Sequence, residues 1–88
     1  MRTVYATPAF VRLSRDMLRK NPVIKKKWSS VVRLLEKDMF SPSLKTHRLH
    51  GALKDLHACR VGYDMRITFT LDEESVTLRG MGSHDQIY

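Results

Sequence analysis

The stretch Met65-Arg66-Ile67-Thr68-Phe69-Thr70-Leu71 alternates apolar and polar residues without a break. A period of two is the pattern of a strand with one face buried and the other polar. The next stretch repeats it, with Val76, Leu78 and Gly80 on one side and Thr77 and Arg79 on the other. Asp72-Glu73-Glu74 between them reads as a polar turn, so the two strands should pair as an antiparallel hairpin. Upstream, residues 56–61 read as a third strand and Gly62-Tyr63-Asp64 as the turn that follows it.

Toward the N-terminus the period changes. Thr3-Val4-Tyr5-Ala6 has the composition of a strand. Thr7-Pro8 then reads as a helix start, with Thr7 as N-cap and Pro8 in the first turn. Phe10, Leu13 and Met17 recur at helical spacing. Asn21-Pro22 ends that helix and begins another, on which Ile24, Trp28, Val31 and Leu35 share one face. Trp28 therefore belongs to the core. Ser41-Pro42-Ser43 closes this half. The expected order is β-α-α-β-β-β, an α+β fold with a helical hairpin packed on a twisted, mostly antiparallel sheet.

Composition narrows the function classes. The 88 residues carry 16 Lys+Arg against 9 Asp+Glu, a net charge of +7, and 42% are hydrophobic. This is a globular composition of one-domain length. The single cysteine, Cys59, excludes an internal disulfide framework and a multi-cysteine zinc site. No apolar run reaches the roughly 20 residues of a membrane helix, and no apolar segment follows Arg2 as in a secretory leader. The expected setting is reducing and cytoplasmic. Residues 1–38 hold ten Lys/Arg and three Asp/Glu, whereas residues 39–88 hold six of each. The whole excess is N-terminal, and it favours polyanions such as nucleic acid or an acidic partner. All four histidines (His47, His50, His57 and His84) lie in the neutral half.

Few of the usual chemical motifs are present. His47-x-x-His50 lacks the spacing and third ligand of a zinc site. Cys59, mid-strand, reads as a small buried hydrophobe. Gly80-Met81-Gly82 opens no helix and so forms no phosphate loop. The remaining set of His, Arg, Asp and Tyr suits metal-free RNA cleavage. In that reaction the 2′-hydroxyl attacks the adjacent phosphorus and the 5′-oxygen leaves. It needs a base, an acid and a cation for the developing charge.

Three segments carry a resemblance. They are His47-Arg48-Leu49 with Gly51, Leu53 and Lys54; His57-Ala58-Cys59-Arg60-Val61-Gly62-Tyr63-Asp64-Met65-Arg66-Ile67; and Gly82-Ser83-His84-Asp85 with Tyr88. In order and spacing they resemble the RelE/ParE superfamily of type II toxin–antitoxin toxins, nearest the YafQ-like and RelE-like mRNA interferases. The resemblance takes residues 1–88 as one toxin domain of the RelE-like fold. It implies a ribosome-dependent mRNA endoribonuclease that enters the ribosomal A site and inhibits translation. It also implies a cognate antitoxin, contact with operator DNA only through the antitoxin complex, no membrane association and no cofactor or metal.

Residue by residue, His84 matches the family's general acid and Tyr88 its terminal substrate-orienting aromatic. His47 matches the upstream active-site histidine, and Asp64 the aspartate of the turn. Arg60 stands where RelE-like members have arginine and YafQ-like members histidine, and is assigned to the phosphate charge. Ala58 stands where some YafQ-like toxins carry aspartate. The general base is thus open between His47 and Asp64, with Asp64 equally suited to closing its turn. A carboxylate beside Arg60 is a poor base near neutrality, which favours His47. Lys25, Lys26, Lys27, Lys54 and Arg66 are expected to contact RNA or the ribosome, and His50 and His57 to be surface residues. Two other readings fit the same fold: a ParE-like gyrase inhibitor and a non-catalytic RNA-binding module.

Overall fold

A computed structural model describes residues 2–49, 56–62 and 64–83. Strand β1 (Thr3–Ala6) is followed by helices α1 (Pro8–Lys20) and α2 (Pro22–Asp38) and a single 3-10 turn at Pro42–Leu44. Four further strands follow: β2 (His47–Arg48), β3 (His57–Val61), β4 (Met65–Leu71) and β5 (Ser75–Ser83). They form one sheet in the order β1-β5-β4-β3-β2. All neighbours are antiparallel except β1, which runs parallel to β5. The right place for β1 follows from its connection. Two helices lie between β1 and the rest of the sheet, and a parallel neighbour needs a crossover of that kind.

The helix signals act as the sequence suggests. The Thr7 hydroxyl accepts a hydrogen bond from the Phe10 amide at 3.0 Å, and Pro8 occupies the first turn, where no amide is missed. Asn21 divides the hairpin in one direction only. Its side-chain amide donates to the Met17 carbonyl and its backbone amide to the Leu18 carbonyl, so it closes α1. It makes no side-chain cap for α2.

The core lies between the helices and one face of the sheet. Phe10, Ile24, Leu35, Met39 and Leu44 meet Cys59, Val61, Ile67, Phe69, Val76, Leu78 and Met81 there. Trp28 packs on this cluster and stacks on Phe10, with ring centres 6.2 Å apart. Leu13, placed by periodicity with Phe10 and Met17, is instead 39% exposed. Gly62 adopts φ +70°, and a side chain there would come within 2.6 Å of the Ile24 Cδ1 methyl. The β3–β4 turn therefore needs glycine both for its backbone and for its contact with α2.

One expectation on β5 is corrected. Gly80 was placed with Val76 and Leu78, but it stands opposite Thr68 on the other face, and Met81 enters the core. A bulge is the cause. Phe69 pairs with Leu78 and Thr68 with Gly80, leaving Arg79 as the extra residue on β5. One inserted residue reverses the facing of every position after it.

Candidate nucleic-acid interface

The pleat assigns residues to faces. Core residues Cys59, Ile67 and Met81 share one cross-strand row, so the rows between belong to the far face, away from the helices. One such row runs His47–Ala58–Thr68–Gly80 across β2, β3, β4 and β5. The next is Arg60–Arg66–Gly82. On the other side of the first lies Tyr5–Thr77–Thr70, joining β1, β5 and β4. Strands β1 to β5 contain no aspartate or glutamate. Asp64, Asp72, Glu73 and Glu74 sit in turns. Among the described residues, the second half of the chain is thus sorted in space, with arginines on strands and carboxylates at the tips.

His47 is exposed, and its ring Nδ1 lies 3.0 Å from the Lys45 carbonyl. A carbonyl only accepts, so Nδ1 carries the hydrogen, and the neutral ring has its lone pair on Nε2. Arg60 and Arg66 are directly opposite one another. Arg60 Nε donates to the Gly62 carbonyl at 3.2 Å. Arg66 makes a long contact of 3.5 Å to the Met65 carbonyl. The middle of the far face is buried: Ala58 and Thr68 are 0% and 6% exposed. Gly80 fits there because a side chain would lie 2.6 Å from the Thr68 hydroxyl.

Asp64 lies elsewhere. It lines a cleft of about 540 Å³ between the bend of the helical hairpin and the β3–β4 turn, with Met17, Asn21, Ile24, Lys27 and Ser83. It is therefore separate from the His47 row. Lys27 also lines a smaller cleft with Arg60, Ser43 and Gly62, which links the helical lysines to the arginine end of the sheet. Lys25, Lys26 and Lys27 are all exposed on α2. His84, Tyr88, Lys54 and His50 lie outside the described residues.

His57, expected at the surface, is half-buried. It stacks on Phe69, 5.9 Å between centres, and meets Phe40 edge-on. Its Nδ1 is buried without a hydrogen-bond partner among the described residues. Burial, then the charges of Arg48 and His47, lower its pKa. Cys59 is fully buried, and burial pushes its thiol up to about 12, opposed in part by a backbone hydrogen bond with Ile67. At that value it carries no thiolate near neutrality and is inert. The sequence reading gave no role to Arg79. It lies on the far face, where its Nε donates to the Thr70 hydroxyl at 2.8 Å. Alternation marked it as polar-facing, but only the register reveals the extra residue.

The family pattern described as "Bacterial toxin of type II toxin-antitoxin system, YafQ" matches residues 2–88. Solved structures share the fold at low identity. YafQ from Escherichia coli strain BL21(DE3) superposes with a TM-score of 0.79 at 16% identity, over 100% of this chain and 99% of that one. The chain in the E. coli DinJ–YafQ complex gives 0.78 at 17%, with the same coverage. The YoeB dimer from Staphylococcus aureus gives 0.74 at 13%, over 94% and 97%. No curated protein matches the sequence at a significant level.

Proposed function

The chain belongs to the YafQ family of bacterial toxins of type II toxin–antitoxin systems, and from that premise we propose that it is a ribosome-dependent mRNA endoribonuclease. A cognate antitoxin holds it inactive, a partner supported by the DinJ–YafQ complex of the same fold. The observation that carries the nuclease reading is the Arg60–Arg66 pair on the far face. Two guanidinium groups directly opposite across two strands offer planar paired donors to one phosphate.

The chemistry is assigned as follows. His47 Nε2 takes the proton of the 2′-hydroxyl, which attacks phosphorus. Arg60 stabilises the charge on the five-coordinate phosphorus, and Arg66 holds the same phosphate. His84 donates a proton to the departing 5′-oxygen, leaving a 2′,3′-cyclic phosphate and a 5′-hydroxyl. Tyr88 stacks on a neighbouring base. The place of Asp64 on the helix-side cleft favours His47 over Asp64 as the base. Lys25, Lys26, Lys27 and Lys54 dock the protein on ribosomal RNA, and no metal takes part.

Purified protein added to a translating extract is expected to cut mRNA, with ends mapped by primer extension, and to leave the same mRNA intact without ribosomes. Intact mRNA together with inhibited DNA supercoiling would replace this reading with the gyrase one.

A further inference from the structure

We propose that Arg79 and Tyr5 form a second RNA subsite, in which Arg79 binds the phosphate and Tyr5 stacks on the base of a nucleotide flanking the one that is cut. This rests on the nuclease reading and extends it to a part of the sheet that the expected site residues leave out.

Three features of Arg79 support the inference. First, it is the bulged residue of β5, present in excess of the pairing, on the far face with Thr77 and Gly80. Without the bulge, Gly80 would turn toward the core and Met81 away from it. Second, its Nε is held by the neutral Thr70 hydroxyl at 2.8 Å. That bond orients the guanidinium of an exposed side chain, which lines a shallow cleft with Thr70, Thr77, Ser75 and Asp72. Third, three carboxylates stand in the adjoining turn, yet among the described residues Arg79 makes no ion pair. Asp72 is engaged otherwise. It accepts hydrogen bonds from the amides of Glu74 and Ser75 and from the Ser75 hydroxyl. An exposed arginine oriented by a neutral partner and making no ion pair among the described residues suits phosphate.

Tyr5 supplies the complementary part. It is 56% exposed on β1, in the same far-face row as Thr77 and Thr70. A large exposed ring on an otherwise threonine-lined surface offers a stacking platform, and stacking tolerates any base. Thr70 lies four residues along β4 from Arg66, about 13 Å at strand rise. That distance exceeds one phosphate-to-phosphate step, so it fits a further nucleotide of the same strand rather than one phosphate held twice. The absence of carboxylates from the strands favours RNA over a cationic partner.

The test uses the full chain and uncleavable 2′-O-methyl oligoribonucleotides, a trinucleotide and an octanucleotide, with binding followed by fluorescence anisotropy across a salt series. The wild type is expected to bind the octamer more tightly than the trimer. Arg79→Gln and Tyr5→Ala should each reduce that gain about tenfold while leaving trimer affinity unchanged. Arg79→Gln should also lower the slope of log affinity against log salt by about 0.7 for the octamer. A gain with length that survives both substitutions overturns the subsite, as does no gain at all. So does octamer affinity unmoved by either change while an acidic peptide competes through Arg79. The nuclease reading fails separately. A wild type that binds in the expected pattern but cuts no ribosome-bound mRNA keeps the subsite and loses the enzyme. A wild type that cuts, with a length gain indifferent to Arg79 and Tyr5, does the reverse.

Discussion

The two faces of the same sheet differ more than any two separate parts of the molecule. The near face presents Cys59, Val61, Ile67, Phe69, Val76, Leu78 and Met81 to the helices, and all are nearly inaccessible. The far face presents His47, Arg60, Arg66, Thr70, Thr77, Arg79 and Tyr5. Because the pleat alternates at every residue, stability and chemistry are carried by adjacent residues of the same strand. Phe69 stands between Thr68 and Thr70, and Cys59 between Ala58 and Arg60. The separation should therefore hold at single-residue resolution.

The largest expected effect tests the near face. Phe69→Ala removes a fully buried ring and should cost about 3–5 kcal/mol, read as a lower midpoint in urea unfolding. A loss below 1 kcal/mol would mean that the core is elsewhere. Next, Gly80→Ala brings a methyl to 2.6 Å from the Thr68 hydroxyl and should cost about 1–3 kcal/mol. The double substitution Gly80→Ala with Thr68→Ala removes the collision and should recover most of that loss. An additive result would show that the bulge register is wrong.

The helical lysines sharpen the comparison by lying on neither face. Neutralising Lys25, Lys26 and Lys27 together should weaken ribosome binding and reduce its salt slope by up to about 2–3. Folding stability should change by only about 0.5 kcal/mol or less per residue. Unchanged salt dependence would remove their docking role.

The smallest effect concerns His57, which breaks the simple division by placing an imidazole among aromatic rings. Its folded pKa is lowered from 6.5, so near that pH the unfolded chain binds protons that the folded chain refuses. Stability contributed by this group is intact above 6.5 and is lost as the pH falls through the lowered folded value. His57→Phe should flatten that part of the stability–pH curve. A curve of unchanged shape would show that the imidazole titrates normally.

Much of the fold was legible because its signals are local. Thr7-Pro8 and Asn21-Pro22 mark the helices, and residues 65–71 mark a strand by alternation alone. What escaped was set by tertiary pairing. The bulge at Arg79 has no local signature, since Gly80 continues the alternation in sequence while reversing it in space. The partial burial of His57 depends on Phe40 and Phe69, distant in the chain and joined only by packing. The site was legible in its residue types. The face shared by His47, Arg60 and Arg66, and the separate cleft of Asp64, required the register.

The central claim is that the far face cuts ribosome-bound mRNA and that Arg60 supports the reaction without supporting the fold. The most direct measurement is single-turnover cleavage of ribosome-bound mRNA by Arg60→Ala protein whose thermal unfolding is recorded in parallel. The account predicts a loss of about 100-fold or more in the cleavage rate. It predicts a stability change of about 0.5 kcal/mol or less. Cleavage at the wild-type rate by the folded variant, or a loss that merely follows unfolding, would contradict it.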